Sequence, residues 1–413
     1  MLTNLIGGFA GETQKFSDLP TNTCRAEGEA KHLESSKKVQ APFNKFNQKN
    51  KGVKMNYQTP KGTRDFLPAD MAIREKLIET IKSFYRLYGF RPWDGPAFEN
   101  LETLTVKSGE AVKDEIYSFR DKSDRELGLR FELTGSLARI VSANPNLKKP
   151  LKLYNIGKAW RYERPQSGRF REFIQSDTDV FGSSSANAEA ELLDMAVAIL
   201  NKLGIKNYQI FINSRRILDI MMQNAGISKD KTPDAFRALD KLNKIGFDGV
   251  KEEFQERGID PKMLDSLQEY FAFEGTNEQK LDKVKEIAPE NEKAEIDFLA
   301  KVVSKTAKLI NPDLIKVDFS LVRGLDYYTS TVFEIRSTDA EDVGSFAGGG
   351  RYDDLVALYG GQPTPAVGIS LGIERIFEIL KRQGDLEMEP FAKVMICYLE
   401  EMAEKAIEIA KKI

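Results

Sequence analysis

Residues 157–182 read GKAWRYERPQSGRFREFIQSDTDVFG, and this stretch predicts two β-strands joined by a charged loop. The first strand covers Tyr154–Tyr162, which is rich in apolar and aromatic residues. The second covers Phe170–Phe181, where polar and apolar side chains alternate. The loop Glu163–Arg169 contains proline, serine and glycine, the residue types that turns use. The rest of the chain is organised around this predicted hairpin.

The second strand of the hairpin carries a polar face, because successive side chains of a strand point to opposite sides. That face holds an arginine, an aromatic ring, an amide and two carboxylates, at Arg171, Phe173, Gln175, Asp177 and Asp179. At about 3.3 Å per residue they span about 26 Å, enough to contact a nucleotide and a small amino acid placed end to end. A solvated sheet face has the same pattern, so the hairpin alone leaves both interpretations open.

Composition restricts the chemistry open to the chain. Its 413 residues, formal net charge of −2 and 41% hydrophobic content are typical of a globular protein with about two to four domains. The cysteines Cys24 and Cys397 are far apart, which favours a reducing compartment without disulfides. The single histidine, His32, excludes Ser-His-Asp and Cys-His catalysis and His-ligated zinc. The apolar runs are too short to cross a bilayer, so we expect no membrane partner.

The part of the chain before the hairpin predicts a tail, two helices and two extended segments. Residues 1–54 are polar without a sustained period and predict a disordered N-terminal extension. Met71–Tyr88 has a helical apolar stripe that ends before a glycine. Phe90–Phe98 contains two prolines and suits a sheet edge. Leu127–Thr134 predicts a strand, and Ser136–Ala143 a helix after it.

The part after the hairpin predicts a return to the sheet through a long helical segment. A helix ending at Leu203 leads to a short strand, Tyr208–Ile212. Arg215–Leu309 is highly charged and amphipathic, which predicts a helical insertion between two parts of one sheet domain. Strands resume at Lys316–Val322 and Thr329–Ile335.

Two further features lie near the end of the chain. Ala347–Asp353 reads AGGGRYD; it lacks the spacing of phosphate loops and dinucleotide fingerprints, and a plain loop is the expected structure. Arg375 lies near the start of a helix, Leu371–Arg382, where a cation opposes the helix dipole. An anionic ligand would explain Arg375, and so would a surface ion pair with Glu374 or Glu378.

The last residues predict one strand, Ala392–Tyr398, and one helix, Glu400–Ile413. A lone strand and helix do not make a domain. We therefore expect the sequence to stop inside one.

Six motifs in chain order resemble the histidyl-tRNA synthetases, a family of class II aminoacyl-tRNA synthetases. They are TPKGTRDFLP at Thr59–Pro68, FELT at Phe131–Thr134, WRYERPQSGRFREFIQSDTDVFG at Trp160–Gly182, LVRGLDYYT at Leu321–Thr329, AGGGRYD at Ala347–Asp353 and AVGISLGIER at Ala366–Arg375. The resemblance covers about Tyr57 to Arg382. RGLDYY and GGGRYD are particular to the histidine enzymes and their close paralogues.

The resemblance implies an α+β fold with a class II antiparallel six-stranded sheet flanked by helices, a helical insertion domain and the start of an α/β anticodon-binding domain. The implied boundaries are 55–214 and 311–388 for the two parts of the catalytic core, 215–310 for the insertion, and 389–413 for the truncated anticodon-binding domain, after the extension 1–54.

The resemblance also implies an activity: ATP-dependent activation of L-histidine and its transfer to tRNA(His) by a cytoplasmic homodimer, with Mg²⁺ accompanying ATP and no His or Cys metal ligand. The implied catalytic residues are Arg161 and Arg323. The implied ATP-binding residues are Arg161, Glu163, Arg169, Arg171, Phe173 and Arg375. The implied histidine-binding residues are Glu132, Leu133, Thr134, Arg161, Gln175, Asp179, Arg323, Tyr327 and Tyr328.

The physical chemistry of adenylation agrees with these residue types. A carboxylate must approach a phosphoryl group, so positioning and cations matter more than a base. Arginine suits both anions because its planar fork donates two hydrogen bonds at once. The chain has Asp177 and Asp179 where many bacterial relatives carry Gly and Glu, and the resemblance assigns no ligand contact to Asp177.

Two other functions remain open at this stage. One is a regulatory paralogue, the synthetase-like subunit of ATP phosphoribosyltransferase, which the short C-terminus favours. Arg161, Glu163 and Arg375 count against it, because a histidine sensor has no use for an ATP site. The other is a pseudo-synthetase domain that binds tRNA as a sensor. We also expect the insertion to clamp the tRNA acceptor arm through its lysines, although its acidic residues allow a purely structural role.

Overall fold

The computed structural model describes residues 58–106, 110–164, 168–322, 327–384 and 394–412. All described residues belong to one compact unit, Gln58–Ile413. The predicted extension 1–54 therefore lies outside the described residues.

Eleven strands occur within the described residues and form two sheets. They are β1 (Arg91–Pro92), β2 (Phe98–Asn100), β3 (Ser118–Arg120), β4 (Glu126–Leu129), β5 (Leu151–Trp160), β6 (Glu172–Phe181), β7 (Tyr208–Ser214), β8 (Ile315–Val317), β9 (Thr331–Ser337), β10 (Ser345–Arg351) and β11 (Ala366–Gly372). The large sheet has the order β1-β5-β6-β11-β10-β9-β7-β8, and the small one has the order β2-β4-β3.

The helices flank these sheets and fill the segment between β7 and β8. They are α1 (Pro68–Leu87), α2 (Leu101–Thr105), α3 (Thr134–Ala143), α4 (Asn187–Lys202), α5 (Arg215–Asn224), α6 (Thr232–Leu239), α7 (Leu242–Glu256), α8 (Met263–Phe271), α9 (Asn277–Ile287), α10 (Lys293–Thr306), α11 (Leu355–Leu358), α12 (Ile373–Gln383) and α13 (Ala403–Ala410). Short 3-10 turns lie at Glu110–Glu115, Glu290–Glu292, Pro312–Leu314, Glu341–Val343 and Glu400–Met402.

The predicted α+β class is confirmed, but the large sheet has eight strands rather than six. The six central strands, from β5 to β7 in the sheet order, pair antiparallel. Two short strands, β1 and β8, add a parallel pair at each edge. The sequence of β1 explains its position at the sheet edge, because Pro92 has no backbone N–H to donate to a neighbouring strand.

The predicted hairpin is β5 and β6, paired over ten residues from Leu151 opposite Phe181 to Trp160 opposite Glu172. One face of β6 packs on helices: the hydroxyls of Tyr85 in α1 and Ser176 in β6 lie 2.6 Å apart. The opposite face carries the polar residues that the sequence singled out.

The main core lies between the sheet and three helices, α1, α4 and α12, and continues into the helices α5 to α10. In α1 the buried residues Leu77, Ile81 and Tyr85 recur every four residues, which places one apolar stripe against the sheet. Burial of such a side chain contributes about 1.5–3 kcal/mol. One face of the sheet is therefore covered by packed helices, and the cavity described below opens on the other face.

The triple glycine was predicted as a loop, and that prediction is wrong. Gly348, Gly349 and Gly350 lie in β10, between β11 and β9 in the middle of the sheet. A Cβ on Gly349 would come within 1.9 Å of the Gly368 carbonyl oxygen, and one on Gly350 within 2.3 Å of the Thr331 carbonyl oxygen. Glycine is needed here for close backbone approach, not for a turn.

Three predicted strands are also shorter or absent. A strand was expected over Lys316–Val322, but β8 ends at Val317. β4 ends at Leu129, and Thr134, expected at the end of that strand, instead opens α3. Residues 394–399 have no regular structure where a strand over Ala392–Tyr398 was expected, and α13 follows the turn after them. Between β7 and β8, the described residues contain helices and no strand.

Candidate active site

A cavity of about 410 Å³ opens on the polar face of the large sheet. This volume is within the range of small-molecule sites. The sequence-predicted residues on its wall come from β6, the start of α3, the hairpin loop after β5, the segment before β9 and the start of α12. They are Glu132, Thr134, Arg161, Glu163, Arg169, Phe173, Gln175, Asp179, Tyr327, Tyr328 and Arg375.

Three predicted site residues are not among the residues that line the cavity. Leu133 is fully buried beside Glu132 and is not part of the cavity wall. Arg171 is also absent from the wall: its guanidinium lies 4.1 Å from the centre of the Tyr162 ring, and its Nε donates to the Glu163 carbonyl oxygen. Arg323 lies outside the described residues.

The polar face of β6 forms one continuous wall of the cavity. Phe173, Gln175, Asp177 and Asp179 all line it, at alternate positions of the strand. From Phe173 to Asp179 the strand covers about 20 Å. Asp177 and Asp179 are each only 2% exposed. Buried carboxylates are costly unless cations or donors meet them, so this end of the wall is suited to a cationic ligand.

The residue opposite Asp179 on β11 is Gly368. A Cβ at this position would lie 2.3 Å from Asp179 Oδ1 and 2.7 Å from the hydroxyl oxygen of Tyr352. Gly368 therefore leaves the space in which these two groups meet.

Tyr352 is a site residue that the sequence reasoning missed. Its hydroxyl donates a hydrogen bond to Asp179 Oδ1, and the side chain is 2% exposed. Burial, with Asp179 beside it, raises the pKa of Tyr352 well above its usual value, so the hydroxyl stays a donor. Tyr352 belongs to AGGGRYD, but only the pairing of β10 with β11 could reveal its neighbour.

Three tyrosine rings enclose this end of the cavity. The rings of Tyr327 and Tyr328 are 4.6 Å apart and tilted, and that of Tyr327 meets Tyr352 edge-on at 5.6 Å. The hydroxyl of Tyr327 lies 3.5 Å from that of Tyr328. The result is an aromatic box with polar tips, which suits a flat ring that itself carries hydrogen-bonding atoms.

The carboxylate of Glu132 stands at the beginning of α3. Its Oε1 accepts a hydrogen bond from the backbone N–H of Gly135 at 2.6 Å. This contact satisfies a helix N-terminus and fixes the carboxylate beside Thr134; both residues are 8% exposed. Together with Gln175 across the cavity, they form a set of acceptors suited to an ammonium group.

Arginine side chains concentrate at the end of the cavity opposite Asp179 and the three tyrosines. The guanidinium carbon of Arg161 lies 4.5 Å from the centre of the Phe131 ring and 5.1 Å from that of Phe173. Its Nε donates to the Phe131 carbonyl oxygen at 3.2 Å. Arg375 donates to the Ser345 carbonyl oxygen at the start of β10. Arg169 pairs with Glu163 at 3.2 Å.

Several carboxylates on the wall were not predicted as site residues, namely Glu115, Asp240, Glu334 and Glu374. Burial and the nearby Glu163 raise the pKa of Glu115, and Glu334 lines the wall from β9. Neither stands in a motif with a recognisable spacing. In the part of the chain that the structure describes, no group of three or more His, Cys, Asp or Glu residues could hold a metal ion.

The cavity therefore has opposite chemistry at its two ends. One end offers buried carboxylates, an amide and tyrosine hydroxyls. The other offers three arginines together with the carboxylates of Glu163 and Glu115, and the Phe173 ring lies near Arg161. Such a site can bind a cationic ligand and a polyanionic ligand next to each other. Among the described residues, no helix is both long and apolar enough to span a membrane.

Comparison with known proteins agrees with this geometry. The chain is 39% identical to the histidine–tRNA ligase of Aeropyrum pernix over 347 residues, which is 83% of this chain and 78% of that protein. It is 35% identical to the corresponding ligase of Pyrococcus horikoshii over 356 residues, 86% and 82% of the two chains.

A similar solved structure is the histidyl-tRNA synthetase of Nostoc, with a TM-score of 0.75 and 29% identity, covering 87% of this chain and 84% of that one. A Bacillus halodurans protein, described as an ATP phosphoribosyltransferase regulatory subunit/histidyl-tRNA synthetase, shares the fold with a TM-score of 0.74 at 21% identity. The histidyl-tRNA synthetase family model matches residues 62–376. The chain therefore belongs to the histidyl-tRNA synthetase family.

Proposed function

We propose that the chain activates L-histidine with ATP and transfers the histidyl group to tRNA(His). The observation that carries this proposal is the division of one cavity into a carboxylate and tyrosine end and an arginine end. Histidine is cationic at its ammonium group and has two ring nitrogens, whereas ATP is a polyanion. The division therefore matches the two substrates of a single reaction.

At the histidine end, Asp179 accepts from one imidazole nitrogen and Tyr328 contacts the other, with Tyr327 beside them. Glu132, Thr134 and Gln175 hold the ammonium group. The buried carboxylates and the aromatic box support these roles, because a site built from such groups penalises ligands that leave them unpaired. Leu133 is fully buried, so its proposed role is through its backbone.

At the ATP end, Phe173 stacks on adenine and Glu163 accepts from its amino group. Arg161 binds the α-phosphate together with the histidine carboxylate; its location near the Phe173 ring supports this double role. Arg169 and Arg375 lie toward the β- and γ-phosphates. Arg171, which packs on Tyr162 away from the cavity wall, has a phosphate-binding role only by the family resemblance. Arg323 completes the charge around the α-phosphate, a role that rests on the family resemblance alone.

In the first step, the histidine carboxylate oxygen attacks the α-phosphorus and the bond to the β-phosphate oxygen breaks. The products are histidyl-adenylate and pyrophosphate. Arg161 stabilises the negative charge that builds on the phosphorus oxygens. In the second step, a terminal ribose hydroxyl of the tRNA attacks the histidyl carbonyl and loses its proton to solvent, and AMP leaves with the bonding electrons.

The cavity wall fits Mg²⁺ that arrives with ATP. This ion prefers oxygen ligands and commonly binds through substrate phosphates and one or two carboxylates. Glu334 and Glu115 would supply such oxygens from the wall. When bound, Mg²⁺ shares the charge of the triphosphate.

The proposed architecture follows the family: a catalytic core of residues 55–214 and 311–388 in a class II synthetase, working as a cytoplasmic homodimer. Residues 215–310 clamp the acceptor arm of the tRNA, and 389–413 begin the anticodon-binding domain. Deletion of 215–310 should weaken aminoacylation and spare pyrophosphate exchange. Equal loss of both activities would contradict the clamp.

The direct test is histidine-dependent exchange of labelled pyrophosphate into ATP by the purified protein. Exchange that saturates with histidine is the expected result, followed by charging of a tRNA(His) transcript. No exchange at saturating histidine and ATP would contradict the proposal. It would also contradict it if the protein bound histidine without using ATP, as a regulatory subunit would.

A further inference from the structure

The motif at Thr59–Pro68 has no part in the chemistry above, yet it contacts the arginine end of the cavity. The carbonyl oxygen of Gly62 accepts a hydrogen bond from the backbone N–H of Arg171 at 2.8 Å. Arg171 immediately precedes β6, so this contact ties the segment to the end of the hairpin loop.

Arg64 in the same segment stacks between aromatic rings. Its guanidinium carbon lies 4.4 Å from the centre of the Phe66 ring and 4.2 Å from that of Phe170. Phe170 belongs to the hairpin and lines the cavity. Cation–π contacts of this kind strengthen when they are shielded from water, and the Arg64 side chain is only 28% exposed.

The two terminal nitrogens of the Arg64 guanidinium also bind two carboxylates of α12. Nη2 lies 3.0 Å from Glu374 Oε2, and Nη1 lies 3.1 Å from Glu378 Oε1. Arg74 in α1 reinforces the first contact, at 2.7 Å from the same Glu374 oxygen. The other oxygen of Glu374 accepts from the backbone N–H of Ile174 at 3.2 Å.

Arg375 stands beside these two carboxylates in sequence. An unsatisfied Glu374 or Glu378 would attract its guanidinium, the ion pair that the sequence alone allowed. In the structure Arg64 engages both carboxylates, and Arg375 extends instead to the carbonyl oxygen of Ser345 on the cavity wall. A Cβ on Gly168 would lie 3.4 Å from Arg375 Cγ, so the hairpin loop adjoins this side chain.

We propose that Arg64 is a positioning residue for the phosphate-binding end of the cavity. It contacts Phe170, directly after the hairpin loop, on one side and the α12 carboxylates on the other, and so holds this end of the hairpin and α12 together. Arg64 is not part of the cavity wall, and it acts through these neighbours. This inference rests on the proposed function, since ATP is the ligand whose phosphates that end would bind.

The test compares Arg64→Ala with Arg382→Ala in histidine-dependent pyrophosphate exchange. Arg382 is a matched control because it also forks onto a carboxylate, Asp342, from α12, with both contacts at 2.7 Å and the pair exposed. We expect Arg64→Ala to raise the KM for ATP at least about tenfold and to leave the KM for histidine within about twofold. Arg382→Ala should change neither constant.

A second variant separates positioning from a loss of folding. Arg64→Lys keeps the charge without the fork and should give an intermediate KM for ATP. In the double variant Arg64→Ala/Glu378→Gln, one competing carboxylate is gone, and part of the ATP affinity should return. An unchanged KM for ATP in Arg64→Lys and Arg64→Ala, or an equal rise in both KM values, would overturn the inference. An inactive wild type would instead overturn the proposed function.

Discussion

The hydroxyl of Tyr352 donates a hydrogen bond to Oδ1 of Asp179, and both side chains are 2% exposed. The two residues are 173 positions apart in the chain. They meet across β11, which lies between β6, the strand of Asp179, and β10, the strand that Tyr352 directly follows. The contact fixes the orientation of a carboxylate on the cavity wall. It therefore links the geometry of the sheet to the recognition of the ligand.

Replacement of Tyr352 by Phe should weaken histidine binding. A hydrogen bond to a charged group contributes about 1.5–3 kcal/mol, so the KM for histidine should rise by about tenfold or more. The KM for ATP should hardly change, because the hydroxyl lies at the other end of the cavity. Tyr359→Phe is the matched control: its hydroxyl donates to the Thr103 carbonyl oxygen at 3.0 Å. An unchanged KM for histidine in Tyr352→Phe would exclude this role of the hydroxyl.

The buried tyrosine also predicts a loss of stability at alkaline pH. The pKa of Tyr352 is raised in the folded state, so its contribution is intact below the unfolded pKa of about 10. Above that pH the unfolded chain loses the proton and the folded chain keeps it. The free energy of unfolding should then fall by about 1.4 kcal/mol per pH unit for this group. Urea unfolding from pH 8 to 11 should show this slope in the difference between the wild type and Tyr352→Phe, and a constant difference would contradict it.

Gly368→Ala should disturb both Asp179 and Tyr352. The added methyl group would lie 2.3 Å from the first and 2.7 Å from the second, and 2.9 Å from the Thr178 carbonyl oxygen. Overpacking of this kind costs about 1–3 kcal/mol of stability, and the KM for histidine should rise as well. Gly372→Ala on the same strand is the control, because its nearest neighbour would be 3.5 Å away. Equal effects of the two substitutions on thermal unfolding would refute the steric argument.

A buried ion pair behind the sheet should be important for stability. Arg351 in β10 meets Glu189 in α4 through two contacts of 2.6 and 2.8 Å, and the side chains are 3% and 0% exposed. Glu189→Ala would leave a buried guanidinium without its main partner, at a cost of about 3–5 kcal/mol. Asp342→Ala breaks the exposed pair with Arg382 and should cost less than about 1 kcal/mol. Urea unfolding measures both values, and similar costs would show that burial of the pair is unimportant.

Removal of Arg161 should affect catalysis more than binding. Loss of one preorganised donor to a developing charge lowers kcat by about 10²–10³ in other enzymes, and Arg161→Gln should do the same in pyrophosphate exchange. Arg125→Gln is a suitable control, since Arg125 is an exposed arginine paired with Asp121. A change confined to the KM for ATP would show that Arg161 only binds the nucleotide.

Local sequence patterns were sufficient to predict the elements that are periodic. The stripe in α1, the long helix α4 and the alternation in β6 depend on residues three, four or two positions apart, and the structure contains each of them. The polar strip of β6 also lies where the alternation placed it, except that Arg171 falls before the strand and turns to Tyr162.

The features that the sequence did not predict share one physical cause: contacts with distant parts of the chain determine the local structure. The glycines of β10 carry no side-chain pattern, and only the approach of the Gly368 and Thr331 carbonyl groups makes glycine necessary there. Tyr352 gave no local signal because its partner, Asp179, lies on a different strand. Arg64 was part of a recognised motif, but its role depends on the folding of α12 and the hairpin loop against it.

The glycines of β10 and β11 have a consequence for how this enzyme could acquire a new substrate. Gly349 and Gly368 line the cavity, and a side chain at either position would clash with neighbouring strands of the sheet before it reshaped the site. Variation in substrate choice must therefore arise in the walls, where Tyr327 and Tyr328 can shorten without a clash. A library of variants at the tyrosines should yield altered amino acid preference, whereas one at the glycines should yield unfolded protein.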